Sequence, residues 1–202
     1  MRLYLASANP NKAAELGAMA RALGAGSPVD VRPASEVGGM PAVVEDAGTF
    51  TGNARKKAEA LLPRVPPGDW ALADDSGICV DALGGGPGVE SAYYAGASAD
   101  AGANLRKLVR EMSPVPDGSR GAHYVCVLYL VGPGGEARAF EGRCHGTLAR
   151  EPRGSGGFGY DPVFVPEGDS RTIAEMAPAE KDALSHRGRA FASCVGWLAA
   201  RG

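Results

Sequence analysis

Short apolar segments alternate with capped helical segments along most of the 202-residue chain. The first pair is the apolar run RLYLAS at residues 2–7 and a helical segment at 9–24. In that segment Asn9 suits the N-cap, Pro10 suits the first helical position, and Gly24 suits the position just past the end. This alternation is the strongest constraint on the fold, because it is typical of α/β proteins.

The remaining segments continue the pattern around one long hairpin. We predict strands at 29–33, 70–75 and 162–166, helices at 49–63, 99–112 and 176–200, and hairpin strands at 122–132 and 136–149. The helix at 49–63 is capped by Thr49 or Thr51, and the last helical stretch forms one or two pieces. The order predicts an α/β fold with a mixed sheet, in a single domain over residues 1–202.

Composition and charge exclude several classes of protein. With 45% hydrophobic and 22% charged residues and a net charge of −2, the chain resembles a globular enzyme more than a general nucleic-acid binder, which would more often be basic. It has no apolar stretch of 18 residues and no signal peptide, so no membrane partner is expected. The four cysteines form no C-x-x-C pair, which favours a reducing, cytoplasmic compartment.

A lysine lies where a helix N-terminus disfavours it. A cation in the first turn costs about 0.3–1 kcal/mol, yet Lys12 is in the first turn of the helix that begins near Asn9. Free backbone N–H groups and an ammonium group at one point form an anion site of the kind that phosphates use. The alternative is a solvated lysine. The same feature recurs at His186 and Arg187, which begin the last helix.

Two acidic pairs are candidates for metal and water chemistry. Asp74 and Asp75 end an apolar strand and, if the strand continues through them, point in opposite directions. Glu45 and Asp46 form the second pair. Carboxylates from two segments, together with phosphate oxygens and water, suit Mg²⁺, and one of them can orient or deprotonate a water. The alternatives are a solvated acidic turn and, for Glu45, a cap on the following helix.

The stretch GSGGFGYD at 154–161 contains the pattern G-x-G-x-x-G. A dinucleotide-binding motif should lead into a helix, but here Pro162 and a β-branched run follow. We interpret the stretch as a loop that presents Phe158 and Tyr160, where an aromatic ring can stack on a base. The alternative is that Phe158 fills the core.

Five blocks together resemble a known family. SANPNK, TFTGNARKKA, ADDSGICVDALGGGPGVESAYYAG, GGFGYDPVFVPEG and AEMAPAEKDALSHRGRA occur in this order. They are similar to the inosine triphosphate pyrophosphatase family of dITP/XTP pyrophosphatases, also called the Ham1 or RdgB family, over residues 3–191. The resemblance implies Mg²⁺-dependent hydrolysis of ITP, dITP and XTP to the monophosphate and pyrophosphate. It also implies an elongated mixed sheet flanked by helices in two lobes, a central substrate cleft, and a homodimer.

The resemblance also implies roles for individual residues. Asp75 corresponds to the catalytic, metal-binding acid, and Glu45 to the second metal ligand. The implied substrate contacts are Ser7, Ala8, Asn9, Pro10, Asn11, Lys12, Lys57, Ser76, Phe158, Gly159, Tyr160, Asp161, Lys181, His186 and Arg187. Among these, Ser7 to Lys12 form the triphosphate loop and Phe158 to Asp161 the base-site loop.

The chain departs from the family pattern at two places. The acidic segment VVEDAGTF is shifted by one residue, and Gly52 stands where an acidic residue is common. Whether Asp74 or Asp75 accepts the proton stays open. Two other functions also stay open: a Maf-type pyrophosphatase acting on other modified nucleotides, and a non-catalytic module that binds purine nucleotides.

Overall fold

The computed structural model of the chain describes residues 1–24 and 29–201. The strands are β1 (Arg2–Leu5), β2 (Asp30–Pro33), β3 (Trp70–Val80), β4 (Gly121–Val131), β5 (Ala137–Leu148) and β6 (Phe164–Pro166). The helices are α1 (Pro10–Ala22), α2 (Phe50–Leu61), α3 (Ala101–Met112), α4 (Pro178–Leu184) and α5 (His186–Ala199). The six strands form a sheet with the order β2-β1-β3-β4-β5-β6.

The sheet is mixed, as the alternation predicts. β1 runs parallel to β2 and to β3, with Leu3 opposite Val31 on one side and Trp70 on the other. β5 runs antiparallel to β6. Parallel neighbours require long crossover connections, which α1 and α2 supply. β1 ends at Leu5 while β3 continues to Val80, and the loop after β1 begins against β3, where the Ala6 N–H donates to the Leu72 carbonyl at 2.7 Å.

The helix ends follow the predicted caps. The Asn9 side chain accepts the Asn11 N–H at 2.9 Å, and Gly24 beyond the end of α1 has a φ of 78°. Of the two threonines proposed for α2, Thr49 is the N-cap, and its hydroxyl accepts the Gly52 N–H at 3.1 Å. Each such cap stabilises its helix by about 1 kcal/mol. The last helical stretch consists of two pieces, α4 and α5.

β3 is longer than predicted. The sequence indicates an end at Asp75, but the strand continues to Val80. Its continuation depends on a close backbone approach, since a Cβ on Gly77 would lie 2.3 Å from the Gly88 carbonyl oxygen. Asp74 and Asp75 therefore lie inside a regular strand, where successive side chains point to opposite faces, as expected. Both are buried.

The chain divides into two compact units. The first comprises Met1–Asp75, Cys126–Gly142 and Arg187–Gly202, and the second comprises Ser76–Val125 and Arg143–His186. Each has its own apolar core, in which one fully buried leucine contributes about 1.5–3 kcal/mol. The first core includes Leu3, Leu5, Leu16, Trp70, Leu72, Leu128, Leu130 and Phe191. The second includes Ile78, Val80, Leu108, Met112, Tyr124, Tyr160 and Phe164.

Over the described part of the chain, no helix has the length and apolar character that crossing a membrane requires.

Candidate active site

The loop between β1 and α1 is organised by its own side chains. The Ser7 hydroxyl accepts the Asn9 N–H at 3.1 Å, and Asn9 in turn caps α1. Pro10 occupies the first turn, where a missing N–H costs no hydrogen bond. The loop thus ends at a helix N-terminus, with its partial positive charge, beside Lys12. This is the arrangement that the sequence predicts for an anion site.

Asp74 is a buried counter-ion for two basic groups. Its Oδ1 lies 2.5 Å from the Lys12 Nζ, and its Oδ2 accepts the Arg187 Nε–H at 2.7 Å and the Cys126 thiol at 3.2 Å. Although burial alone would disfavour the charged form, Arg187 and Lys12 hold the pKa of Asp74 well below its usual value. A carboxylate that stays ionised and is engaged at both oxygens is a poor proton acceptor, which favours Asp75 for that role.

These contacts show how the two basic residues are held in the folded chain. Lys12 is not a solvated lysine, because its side chain is only 14% exposed. The negative charge of Asp74 offsets the unfavourable position of a cation at the helix N-terminus. Arg187, which the resemblance implies as a substrate contact, is buried and also donates to Glu15 of α1. The Arg187 guanidinium therefore holds Asp74 and α1 in position in this structure.

Lys57 of α2 joins the two candidate metal ligands. Its Nζ donates to Glu45 Oε2 and to Asp75 Oδ1, at 2.8 Å in each case. Burial opposes the charge on Lys57, but the two carboxylates raise its pKa above the ordinary value. The alternative of Glu45 as the cap of α2 is wrong, since Thr49 is the cap. Partial burial opposes the charge on Glu45 as well, yet Lys57 lowers its pKa.

Asp75 has one oxygen available for chemistry. The carboxylate is 6% exposed, and its Oδ2 is buried without a hydrogen-bond partner among the described residues. Burial raises the pKa of Asp75 to about 6, although Lys57 works in the opposite direction. Unsatisfied buried carboxylate oxygens are costly to fold, and they occur where a metal ion, a water or a proton is to be bound.

The donor set suits Mg²⁺. Within residues 1–24 and 29–201, no three His, Cys, Asp or Glu side chains form a group that could hold a metal by themselves. Glu45 and Asp75 supply hard carboxylate oxygens from two segments, one of them the orphaned Oδ2. Mg²⁺ is commonly bound by one or two carboxylates together with phosphate oxygens and waters. The pair fits an ion that arrives with its phosphate ligands.

A second group of predicted residues lies in the second unit, where Asp161 closes the glycine-rich loop. Its Oδ2 accepts the Phe158 N–H at 2.9 Å and the Lys181 ammonium at 2.8 Å. Its Oδ1 accepts the Tyr124 hydroxyl at 3.1 Å. The Lys181 Nζ lies 4.8 Å from the centroid of the half-buried Phe158 ring. The loop therefore presents one aromatic face, held by buried polar contacts.

The second aromatic residue of this loop is placed differently from the prediction. Tyr160 is buried in the core, and its hydroxyl donates to the Ser91 carbonyl at 2.7 Å. The expectation that the loop presents the Tyr160 side chain is therefore wrong, because the Tyr160 ring packs in the core and anchors the loop there. His186 is also buried and stacks on Tyr124, with ring centroids 4.6 Å apart and an interplanar angle of 10°.

The structure thus groups the predicted site residues in two sets. The first unit contains Ser7, Ala8, Asn9, Pro10, Asn11, Lys12, Glu45, Lys57, Asp75 and Arg187. The second contains Ser76, Phe158, Gly159, Tyr160, Asp161, Lys181 and His186. Sequence reasoning missed three residues that hold these groups, namely Glu15, Tyr124 and Cys126. Each looks like an ordinary helix or strand residue until its distant partner is known.

Comparisons with known proteins identify the family of the chain. The model of the Ham1 family matches residues 3–197. The chain is 55% identical to a dITP/XTP pyrophosphatase of Opitutus terrae, over 98% of both chains. It is also 48% identical to a dITP/XTP pyrophosphatase of Leifsonia xyli, over 96% of this chain and 94% of that one.

Solved structures are similar over the same length. The Ham1 protein of Staphylococcus aureus superposes with a TM-score of 0.84 at 33% identity, covering 100% of both chains. A nucleoside-triphosphatase described as a dITP/XTP pyrophosphatase, from Mycobacterium abscessus, gives a TM-score of 0.74 at 44% identity, covering 96% of this chain and 98% of that chain.

Proposed function

The chain belongs to the Ham1 family, and from this premise we propose that it hydrolyses deaminated purine nucleoside triphosphates, namely ITP, dITP and XTP, to the monophosphate and pyrophosphate. The observation that carries the proposal is the buried Oδ2 of Asp75, a carboxylate oxygen with no hydrogen-bond partner among the described residues. A non-catalytic module that binds the nucleotide through basic and aromatic contacts alone would not need such an oxygen. The relatives named as dITP/XTP pyrophosphatases support the substrate class.

We assign Mg²⁺ to the oxygens of Asp75 and Glu45. Bound there, the ion would neutralise phosphate charge and lower the pKa of a bound water. The Asp75 carboxylate is the proton acceptor for the water that attacks the α-phosphorus, and with a pKa of about 6 it is ionised at neutral pH. The Lys57 ammonium offsets the repulsion between the two carboxylates and holds both in position.

The leaving pyrophosphate is assigned to the loop after β1. Charge that develops on the leaving group is stabilised by the N-terminus of α1 and by the Lys12 ammonium. Asp74 holds Lys12 beside this loop before a substrate arrives, so little reorganisation is required during the reaction. Arg187 in turn holds Asp74.

Base recognition is assigned to the loop at Phe158–Asp161, with Lys181 and His186. The half-buried Phe158 ring offers a stacking surface for a purine. Hypoxanthine and xanthine carry a 6-oxo acceptor, whereas adenine presents a 6-amino donor. A site of hydrogen-bond donors rejects adenine because buried donors would then stay unpaired, which can discriminate by about 10⁴-fold. Guanine shares the 6-oxo group, so its rejection must depend on its 2-amino group.

The test offers ITP, XTP, GTP and ATP separately with Mg²⁺ and resolves pyrophosphate from phosphate by ion chromatography. We expect kcat/KM for ITP and XTP to be well above that for GTP, with ATP lowest and pyrophosphate as the product. Equal use of ATP and ITP, or release of phosphate alone, would refute the proposal. A preference for other modified nucleotides would favour the Maf-type activity instead.

We further propose that the protein works as a cytoplasmic homodimer. The proposal rests on the family resemblance and on the cysteine pattern. Light scattering coupled to gel filtration measures the mass directly, and a monomeric mass at micromolar concentration would contradict it.

A further inference from the structure

The segment that carries Glu45 is irregular, so contacts with a neighbouring element must set its position. Residues 43–47 form neither helix nor strand. Three side chains of α2 contact this segment: Lys57 binds Glu45, Lys56 binds Asp46, and the Asn53 Oδ1 accepts the Ala47 N–H at 3.0 Å. α2 is therefore the frame on which the second candidate metal ligand is placed.

Asn53, which is buried, makes a short contact with the acidic segment. Its side chain is short, and the residue is only 2% exposed, whereas Lys56 is long and largely solvent-exposed. Asn53 lies one helical turn before Lys57, so the two project from the same face of α2. Asn53 thus holds the backbone two residues after Glu45. Lys57, one turn later on the same helix, holds the Glu45 carboxylate.

The residue before Asn53 must be small for this contact to form. A Cβ on Gly52 would lie 2.6 Å from the Ala47 Cβ and 2.9 Å from the Thr49 Oγ1. Real Cβ atoms do not approach other atoms so closely, so any side chain at position 52 displaces Ala47 or the cap of α2. Gly52 therefore lets the acidic segment lie directly against the helix.

We propose that Asn53 and Gly52 are positioning residues for Glu45. The hydrogen bond from Ala47 to Asn53, formed in the space that Gly52 leaves, sets where Glu45 lies relative to Asp75 and thereby sets the affinity for the divalent cation. The inference rests on the proposed function in one respect, namely that Glu45 and Asp75 are the metal ligands.

The first experiment compares two buried asparagines. Asn53→Ala removes the acceptor for Ala47. Asn104→Ala is the matched control, because Asn104 is 4% exposed and its Oδ1 likewise accepts a loop N–H, that of Ala95, at 2.6 Å. Asn104 lies in the second unit and contacts none of the candidate metal ligands in the bonds described for it. Both variants should lower the thermal midpoint.

The measured quantity is the dissociation constant for Mn²⁺ alone, from electron paramagnetic resonance titration of the nucleotide-free protein. Loss of a side chain that orients a metal ligand typically weakens metal affinity by about 10–100-fold. We therefore expect Asn53→Ala to raise the Mn²⁺ dissociation constant about tenfold, and Asn104→Ala to leave it within about twofold. The Mg²⁺ concentration for half-maximal pyrophosphate release should rise in parallel for Asn53→Ala, while the KM for ITP at saturating Mg²⁺ should not.

A second pair of variants tests the role of Gly52 independently. On helix propensity alone, Gly52→Ala would stabilise α2 by about 1 kcal/mol and leave metal binding unchanged. Our proposal expects it to weaken Mn²⁺ binding. Adding Ala47→Gly should restore part of the affinity, because the closest predicted contact of the new methyl group disappears while that with Thr49 remains.

The proposal is overturned if Asn53→Ala and Gly52→Ala both bind Mn²⁺ as the wild type does, or if Asn53→Ala and Asn104→Ala change the affinity equally. Failure of the proposed function is a separate result, because it would show as absence of pyrophosphate release from ITP by the wild type. A wild type that releases pyrophosphate while both positioning variants bind metal normally refutes only the positioning role of Asn53 and Gly52.

Discussion

Replacing Asp75 by asparagine should strongly lower turnover and stabilise the metal-free protein at the same time. The carboxylate is buried, and its Oδ2 has no hydrogen-bond partner among the described residues. Burial raises its pKa to about 6, from an ordinary value of 3.8. The asparagine side chain would have nearly the same shape but could not ionise, so the variant separates the cost of the buried charge from the packing of the side chain.

The size of the expected stabilisation follows from the pKa values of Asp75 in the unfolded and the folded protein. Between about pH 4 and pH 6 the folded protein retains a proton on Asp75 that the unfolded chain has released, so the stability of the wild type falls as the pH rises through this window. At about 1.4 kcal/mol per pH unit, the loss reaches about 3 kcal/mol at pH 8 but is only about 1 kcal/mol at pH 4.5. Asp75→Asn escapes this loss, and for a chain of this size its thermal midpoint should rise by about 6–12 °C at pH 8.

Urea unfolding in EDTA, followed by the fluorescence of Trp70 and Trp197, measures the effect at pH 8 and at pH 4.5. Asp46→Asn is the control, because Asp46 is an exposed acid of the same segment as Glu45 and pairs with Lys56 at the surface, where ion pairs contribute little. It should change the unfolding midpoint little at either pH.

Two results would refute the reasoning. The first is an Asp75→Asn variant that is less stable than the wild type at pH 8. The second is a stability difference that does not depend on pH. In parallel, kcat for ITP should fall by about 10²–10⁴-fold, the range for loss of a general base. Near-normal turnover at saturating Mg²⁺ would transfer the role to Asp74 or Glu45.

Other substitutions test the remaining contacts. Asp74→Asn leaves the buried Arg187 without its ionic partner in β3, and we expect the free energy of unfolding in urea to fall by about 3–5 kcal/mol. A fall below about 1 kcal/mol would contradict the counter-ion role of Asp74. Lys12→Ala should raise the KM for ITP about tenfold or more, since a charged hydrogen bond contributes about 1.5–3 kcal/mol. It should also lower the stability of the protein, because Asp74 loses a partner. An unchanged KM would show that Lys12 is only structural. Tyr124→Phe removes the hydroxyl that donates to Asp161. It should cost about 1 kcal/mol of stability and raise the KM for ITP without changing the Mn²⁺ affinity. A changed Mn²⁺ affinity would contradict the assignment of Tyr124 to the base loop.

The sequence by itself determined the order of the helices and strands and the capped starts of α1 and α2. Apolar runs, helical periodicity and capping residues act within a few positions of one another, so their effects can be read without knowing the fold. Asn9 and Thr49 accept N–H groups two and three residues away; the sequence predicts Asn9 as a cap and Thr49 as one of two candidates, the other being Thr51. The α/β class and the mixed sheet follow from the order of such local units, and the structure confirms both.

Motifs identify the candidate site residues but not their partners. Period two along β3 predicts that Asp74 and Asp75 point to opposite faces, yet it does not say what lies on each face. Asp74 bonds to Cys126 and Arg187, which are 52 and 113 residues away. The sequence predicts that the Tyr160 ring lies at the surface of its loop, whereas the ring is part of the core.

Only the tertiary structure decided which carboxylate is neutralised and which retains an available oxygen. The two aspartates are adjacent and chemically identical, so no local pattern distinguishes them. Asp74 receives Lys12 and Arg187 because pairing of β1 with β3 and the return of α5 bring those side chains to its face. Asp75, on the opposite face, receives the Lys57 ammonium, and the burial that raises its pKa depends on the packing around it. Side-chain charge is set by neighbours in space, and those neighbours are assembled only when distant segments fold together.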